Sequence, residues 1–244
     1  EVVEAADLIL CPSEWVMDGM RRAFASAGDK LALVPYGSSL RLPPCASPQP
    51  IPGRVLFVGR NPVIKGLRYL VEAIVQIRHR CPDVHLRVVG IPGEFARRIL
   101  PEDGASYAEN VDATGLLSEY GKADMLVLAS LSEGFAGVIS EAAACGVPLI
   151  VSRESGAPVT DGMNGLIVPC RDSAALVNAI ERVHRNRELR ARLAAGSREL
   201  GIYLSEESWQ KRLVFTIRES LAAKYPGSAS PVGDRGSCAD SRVC

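Results

Sequence analysis

Aromatic residues make up only 5% of the 244 positions, histidine occurs three times, and the charges cancel, 28 basic against 28 acidic. A balanced chain has no broad basic surface for nucleic acid and no acidic tail, so any recognition of an anion has to be local. No stretch approaches the ~20 consecutive apolar residues of a membrane span. The histidines, His79, His85 and His184, have no partners at catalytic or metal spacing and read as structural or solvent-facing. The cysteines at 11, 45, 81, 145, 170, 238 and 244 show neither Cys-x-x-Cys nor Cys/His ligand spacing. Reduced thiols and a cytoplasmic location are therefore the expectation. Between Val89 and the next helix, Gly90-Ile-Pro-Gly93 has too few glycines for the dinucleotide fingerprint, which disfavours a nicotinamide enzyme. No internal repeat is evident.

What the chain does have is concentrated between Asp124 and Ser152. Met125 to Ala129 is a short continuous apolar run, as befits a strand buried on both faces, and Val147 to Val151 is another. Between them a helix is predicted from about Ala136 or Gly137 through Val138, Ile139, Glu141 and three alanines, stopping at Cys145-Gly146 with the glycine as cap. Strand, loop, helix, strand is a parallel crossover, and ligands of open α/β sheets bind beyond the carboxyl ends of such strands.

The loop at that end carries Glu133, Gly134 and Phe135. Gly134 and Gly137 let backbone amides approach a ligand, and the helix start behind them offers about half a positive charge to a phosphate. Glu141 lies in the second turn, where a carboxylate can accept hydrogen bonds from vicinal hydroxyls such as those of a ribose. On the pair alone, the plainer reading stays open: Glu141 an exposed helix residue and Glu133 a loop charge.

Around this centre the chain reads as α/β. Leu8 to Leu10 is a strand, and a helix follows from Pro12-Ser13-Glu14 to about Gly28; Leu31 to Pro35 is a further strand. Residues 41 to 53 hold five prolines and are read as a linker. Arg54 to Val58 is then a strand, and Leu67 to His79 an amphipathic helix with Leu67, Leu70, Val71, Ile74 and Ile77 on one side. Arg60 and Lys65 flank the loop between them. They suit a diphosphate, Arg by bidentate hydrogen bonds and Lys as a point charge, although by themselves they read first as surface charges. Val84 to Val89 is a strand, followed by a short helix to Leu100. Leu117 to Lys122 is a short helix, Leu166 to Val168 a strand, and Ser173 to Arg185, Arg187 to Leu200 and Ser205 to Lys224 are helices. In the last of these, Trp209, Leu213 and Ile217 recur at four-residue steps and read as core packing. The tail from 226 to 244 has a disordered composition.

The run Ser130-Leu-Ser-Glu-Gly-Phe-Ala-Gly-Val-Ile-Ser-Glu-Ala-Ala-Ala-Cys-Gly-Val-Pro-Leu-Ile150 closely resembles the signature of the retaining nucleotide-sugar glycosyltransferases of family four, enzymes of the two-Rossmann-domain (GT-B) architecture. That signature has two glutamates with seven residues between them, then a small-residue helix and Cys-Gly-Val-Pro. Phe57-Val-Gly-Arg60 with Lys65-Gly66 is similar to the family's phosphate-binding loop, and Asn110 to Gly115 to its short strand and glycine turn, where the donor base lies beside Gly115 and Leu116. Asp161-Gly162 and Asn164-Gly165-Leu166 resemble it further along. One departure lies in the signature itself: Ala136 stands where the family usually has glycine, which matters if that position needs a positive φ.

The resemblance implies a Rossmann-like parallel sheet with flanking helices over 54–204, the donor half, with a crossing helix at 205–225. Residues 1–40 would be the end of a truncated acceptor-side Rossmann-like domain. It implies transfer of a hexose from a nucleotide diphosphate sugar with retention of configuration, to an acceptor the chain does not reveal, with no cofactor and no obligatory metal. Arg60 and Lys65 would neutralise the leaving diphosphate, assisted by amides near Gly134, Phe135, Ala136, Gly137 and Val138. Glu141 would hold the ribose and Glu133 contact the sugar. No nucleic-acid partner or membrane span is expected, with peripheral membrane contact left open through the remainder of the acceptor-side domain.

Overall fold

The computed structural model describes residues 1–38 and 49–225. The proline-rich segment 41–48 and the tail 226–244 lie outside the described residues. The N-terminal unit holds a short helix α1 (Val2–Ala5), strand β1 (Ile9–Cys11), helix α2 (Glu14–Ala23), a 3-10 turn over Ala25–Lys30 and strand β2 (Leu31–Leu33). β1 and β2 pair in parallel as a two-stranded sheet. The expected helix to Gly28 stops earlier because the backbone extends at Phe24 (φ −136°) and restarts as the 3-10 turn.

The larger unit is a six-stranded parallel sheet: β3 (Arg54–Val58), β4 (His85–Val89), β5 (Ala105–Ala108), β6 (Met125–Leu128), β7 (Leu149–Ser152) and β8 (Gly165–Val168), in the spatial order β5-β4-β3-β6-β7-β8. Helices α3 (Leu67–Ile77), α4 (Gly93–Ile99), α5 (Ala113–Lys122), α6 (Gly137–Ala144), α7 (Ser173–Arg185), α8 (Arg187–Tyr203) and α9 (Glu206–Lys224) complete it. The chain winds outward from β3 through β4 to β5, returns, and winds the other way from β6 through β7 to β8. With right-handed crossovers that reversal sets α3 and α6 on opposite faces. α7 packs on α3 and α8 on α6. This is the Rossmann-like arrangement, and the crevice between the carboxyl ends of β3 and β6 is its ligand position.

The core follows from composition. Every residue of β6 and β7, and Val55 to Val58 of β3, is buried, as a sheet covered on both faces requires. The alanines of α6 serve close approach: Ala142 and Ala143 are buried, and a methyl group at Gly201 of α8 would meet the Ala143 carbonyl at 2.7 Å.

Two expectations are corrected. No strand occupies 110–115. The strand is Ala105–Ala108, a half-buried edge whose Ala-Ser-Tyr-Ala sequence carries little apolar pattern. Asp112 instead caps α5, its Oδ1 accepting the Gly115 amide at 2.7 Å, which commits Gly115 to the first turn of a helix. Nor do Trp209, Leu213 and Ile217 pack a core: α9 has no buried residue. It lies instead against the N-terminal unit, where the Ser38 amide donates to the Leu204 carbonyl at 2.8 Å, Arg212 reaches the Pro35 carbonyl at 3.3 Å, and Lys224 pairs with Asp7.

At the amino ends of the strands, Glu119 on α5 is clamped by Arg54 (2.6 Å) and by Arg87 through Nε and Nη2 (3.0 and 2.8 Å). Burial raises the pKa of its carboxyl, but the hydrogen bonds from Arg87 and Arg54 outweigh it and the net shift is downward. A lowered folded pKa gives stability that is present above the ordinary carboxylate range and lost as pH falls through the folded value. Glu119→Gln is therefore expected to cost about 1–3 kcal/mol at pH 7, because two partly buried guanidinium groups lose their counter-charge. The gap from the native chain should close as pH falls below ~4.5. Urea unfolding at pH 7 and pH 3.5 checks this, and an equal cost at both values sinks it.

Candidate functional site

The loops after β3 and β6 meet at the reversal point. In the first, Asn61 starts a tight turn: its side chain accepts the Ile64 amide at 3.1 Å and its carbonyl the Lys65 amide at 3.1 Å. Gly66 then takes a left-handed conformation (φ 69°) with its Cα against the Ala129 carbonyl at the end of β6; any side chain there would collide with that oxygen. The Leu131 amide donates to the Ile64 carbonyl at 2.7 Å, stitching the second loop to the first.

Lys65 exploits that geometry. Its methylene stem crosses directly over Gly59, where a methyl group would overlap Cδ, and its ammonium ends 2.7 Å from Glu133 Oε1. Both side chains are only 15% exposed. Arg60, one residue beyond Gly59, is exposed and makes no ion pair or hydrogen bond among the described residues. Thus Lys65 and Glu133 are brought together, and Arg60 stands exposed on the same loop with its charge uncommitted among the described residues.

Glu133 to Gly137 is held from two sides. The Glu133 amide donates to the Glu154 carbonyl (2.7 Å) and the Ala136 amide to the Ser155 carbonyl (3.2 Å), both in the turn after β7. From the N-terminal unit, Ser13 Oγ donates to the Gly134 carbonyl at 2.7 Å while also capping α2. The Tyr36 ring meets Phe135 edge-on, centroids 5.9 Å apart. Ala136 is buried with φ −84°, a conformation alanine adopts without strain, so the departure from glycine leaves the backbone path intact. α6 begins without a side-chain cap, and among the described residues the amides of exposed Gly137 and half-buried Val138 have no acceptor. A helix start left open in this way is suited to an anion.

Glu141 is not an exposed helix residue. It is 8% exposed, and the Tyr120 hydroxyl of α5 donates to its Oε2 at 2.6 Å. Burial pushes its carboxyl pKa up, while the Tyr120 hydrogen bond and the nearby Lys65 charge pull it back. Gly115 and Leu116 sit in the first turn of α5; Leu116 lies one turn before Tyr120, half-buried against the core.

Tyr120, Ser13 and the turn at 154–155 are the contacts that sequence reading missed. Tyr120 is the one with a signal: a tyrosine late in a predicted helix, just before a fully apolar strand, has to bury a hydroxyl that needs a partner. Ser13 and Glu154 reach the site across 121 and 21 positions, and no local pattern carries such contacts. Among the described residues no group of three or more His, Cys, Asp or Glu side chains is placed to hold a metal ion, and no helix is long and apolar enough to cross a membrane. The four described cysteines, at 11, 81, 145 and 170, form no disulfide.

Comparison with known proteins places this geometry in context. The chain is 29% identical to the D-inositol 3-phosphate glycosyltransferase of Saccharomonospora viridis, over 95% of its own length and 60% of the relative's. It is similar to the sucrose-phosphate synthase of Thermosynechococcus elongatus with a TM-score of 0.72 at 27% identity, over 91% of this chain and 60% of that one. The Anabaena protein HepE, solved in complex with UDP-glucose, shares the fold with a TM-score of 0.69 at 19% identity, over 89% of this chain and 65% of that one. The chain thus spans about 60% of the length of the first two of these proteins. The family model for glycosyl transferases group 1 matches residues 52–186, more than half of the chain and all of the site loops described above, and the chain belongs to that family.

Proposed function

We propose that this chain carries the donor-binding half of a glycosyltransferase that moves a hexose from a nucleotide diphosphate sugar to an acceptor with retention of configuration. The observation that carries the reading is the Lys65–Glu133 pair, held at the reversal of strand order beside the uncapped start of α6. The names of the relatives, and the UDP-glucose complex of a protein with this fold, support it.

On this reading the diphosphate lies between Lys65, Arg60 and the amides of Gly137 and Val138. An ammonium has three donors, so Lys65 can keep Glu133 and still donate to a phosphate oxygen. As the bond from the anomeric carbon to the phosphate oxygen breaks, negative charge gathers on the diphosphate, where the two cations and the helix start stabilise it without requiring a metal. Positive charge develops at the anomeric carbon, and the Glu133 carboxylate beside the sugar stabilises that. Retention requires the acceptor oxygen to arrive on the face the phosphate leaves, with its proton passing to the departing phosphate oxygen. Glu141 receives the ribose hydroxyls, and Gly115 and Leu116 lie beside the base.

A second reading has support from coverage. The chain spans about 60% of those two proteins, and on the second reading it is a nucleotide-sugar-binding module without turnover. Titration with UDP, GDP and ADP and their glucose, mannose and N-acetylglucosamine conjugates separates binding from transfer. Binding by one nucleotide series that is lost in Lys65→Ala supports the donor site; binding unaffected by that substitution removes Lys65 from it. Product formed from the donor alone, with no acceptor, would instead indicate a non-transferase such as an epimerase.

The ion pair yields a sharper expectation. In a transfer-competent full-length chain, Lys65→Ala and Glu133→Ala should each lower kcat/KM by about 100-fold or more, as loss of a preorganised charge at the reacting centre does. Their effects on the bare nucleoside diphosphate should diverge. Lys65→Ala weakens it, whereas Glu133→Ala leaves it equal or tighter, because Lys65 is released and a carboxylate is removed from the phosphates. Full activity in both variants would overturn the assignment.

A further inference from the structure

Tyr120 is completely buried, one of the largest fully buried side chains of the chain, and its hydroxyl has to find an acceptor inside the protein. It finds Glu141 Oε2 at 2.6 Å, a short charge-assisted bond. The other oxygen of that carboxylate is in a different situation. Oε1 has no hydrogen-bond partner among the described residues, and it is absent from the set of buried side-chain atoms left without one, so it opens to solvent. The two oxygens of one carboxylate therefore differ: one is tied down by α5 and the other is left open to a ligand.

An untied glutamate in the second turn of a helix would turn about its terminal torsion and present either oxygen in a range of directions. Tyr120 removes that freedom. The ring is fixed by the core around it, the phenol fixes Oε2, and Oε1 is left in one orientation.

We infer that Tyr120 is the positioning residue for ribose recognition: by holding Oε2 of Glu141, it makes Oε1 a directional acceptor for a ribose hydroxyl, and so sets the preference for a ribonucleotide over a deoxyribonucleotide donor. This rests on the donor reading of Glu141 above. A tyrosine that merely filled the core would stabilise the fold without affecting that preference.

The test is a binding comparison of the full chain with UDP, GDP or ADP, whichever binds most tightly, against its 2′-deoxy and 3′-deoxy analogues. The native chain should favour the ribonucleotide by about tenfold or more over at least one analogue, the scale expected when a hydrogen bond to a charged acceptor is lost. Glu141→Ala should abolish the preference. Tyr120→Phe should reduce it to within about twofold of unity by weakening the ribonucleotide while leaving the deoxy analogue nearly unchanged. If Glu141→Ala keeps the preference, the ribose reading of Glu141 fails, and the inference with it. If Glu141→Ala loses the preference but Tyr120→Phe keeps it, or weakens ribonucleotide and analogue equally, only the positioning role is overturned. Should Tyr120→Phe fail to fold, a ring-fluorinated tyrosine installed at position 120 keeps the shape and alters the strength of the phenol donor. A changed ribose preference then upholds the inference and an unchanged one overturns it.

Discussion

A lysine and a glutamate from loops 68 positions apart meet at 2.7 Å with little solvent around them, and the arrangement of the site depends on that contact. An ion pair this sheltered gains little unless its geometry is imposed, because desolvation of both charges offsets their attraction. Here it is imposed by the backbone. Gly59 leaves room for the Lys65 stem, Gly66 turns left-handed beneath the Ala129 carbonyl, and the Leu131 amide ties the second loop to the first. Each of these is a close approach of main chain that the sheet order makes necessary. Where β3 and β6 lie side by side at the reversal, their two loops have no helix between them and must pack directly on one another.

The same logic extends outward. The signature loop 133–137 makes few contacts with its own helix and many with neighbours: the turn after β7 takes the Glu133 and Ala136 amides, and Ser13 takes the Gly134 carbonyl. Gly156, left-handed at φ 68°, sits where a side chain would collide with the Gly134 carbonyl and crowd Ser13. The loop is thus held both by the turn after β7 and by the N-terminal unit.

Legibility in the sequence followed burial. The strands at the centre of the sheet were readable because double burial demands unbroken apolar runs, as in Met125–Leu128 and Leu149–Val151. Helices α3 and α7 were readable because one face of each packs and the other is wet. β5 was not, since an edge strand with every residue half-buried imposes no pattern. α9 misled in the opposite sense: an apolar spacing of four suggests a core, yet none of its residues is buried, and it lies on a surface that α8 and the N-terminal unit partly cover. Lys65 and Glu133 were legible as types at loop positions through a family resemblance, but their pairing was not, because it arises from sheet order. Tyr120 lay outside every motif, since its role comes from what it touches and not from where it falls in a pattern.

The charge balance of the cluster bears on what it can select. Arg60 and Lys65 contribute two positive charges, and Glu133 and Glu141, when ionised, two negative ones, so the site is close to neutral before anything binds. A bare anion entering such a site gains the cations and the open helix start but meets two carboxylates, one of them already engaged with the lysine it needs. A ligand that carries hydroxyl groups beside its phosphates faces a different sum. Its hydroxyls give the carboxylates donors in place of water while its phosphates take the cations, and the repulsion that penalises a simple anion is offset by hydrogen bonds at fixed positions. On the donor reading, the two glutamates are therefore as much a part of phosphate selectivity as the lysine and arginine are: they lower affinity for phosphate as such and restore it only when sugar is attached on both sides of the diphosphate.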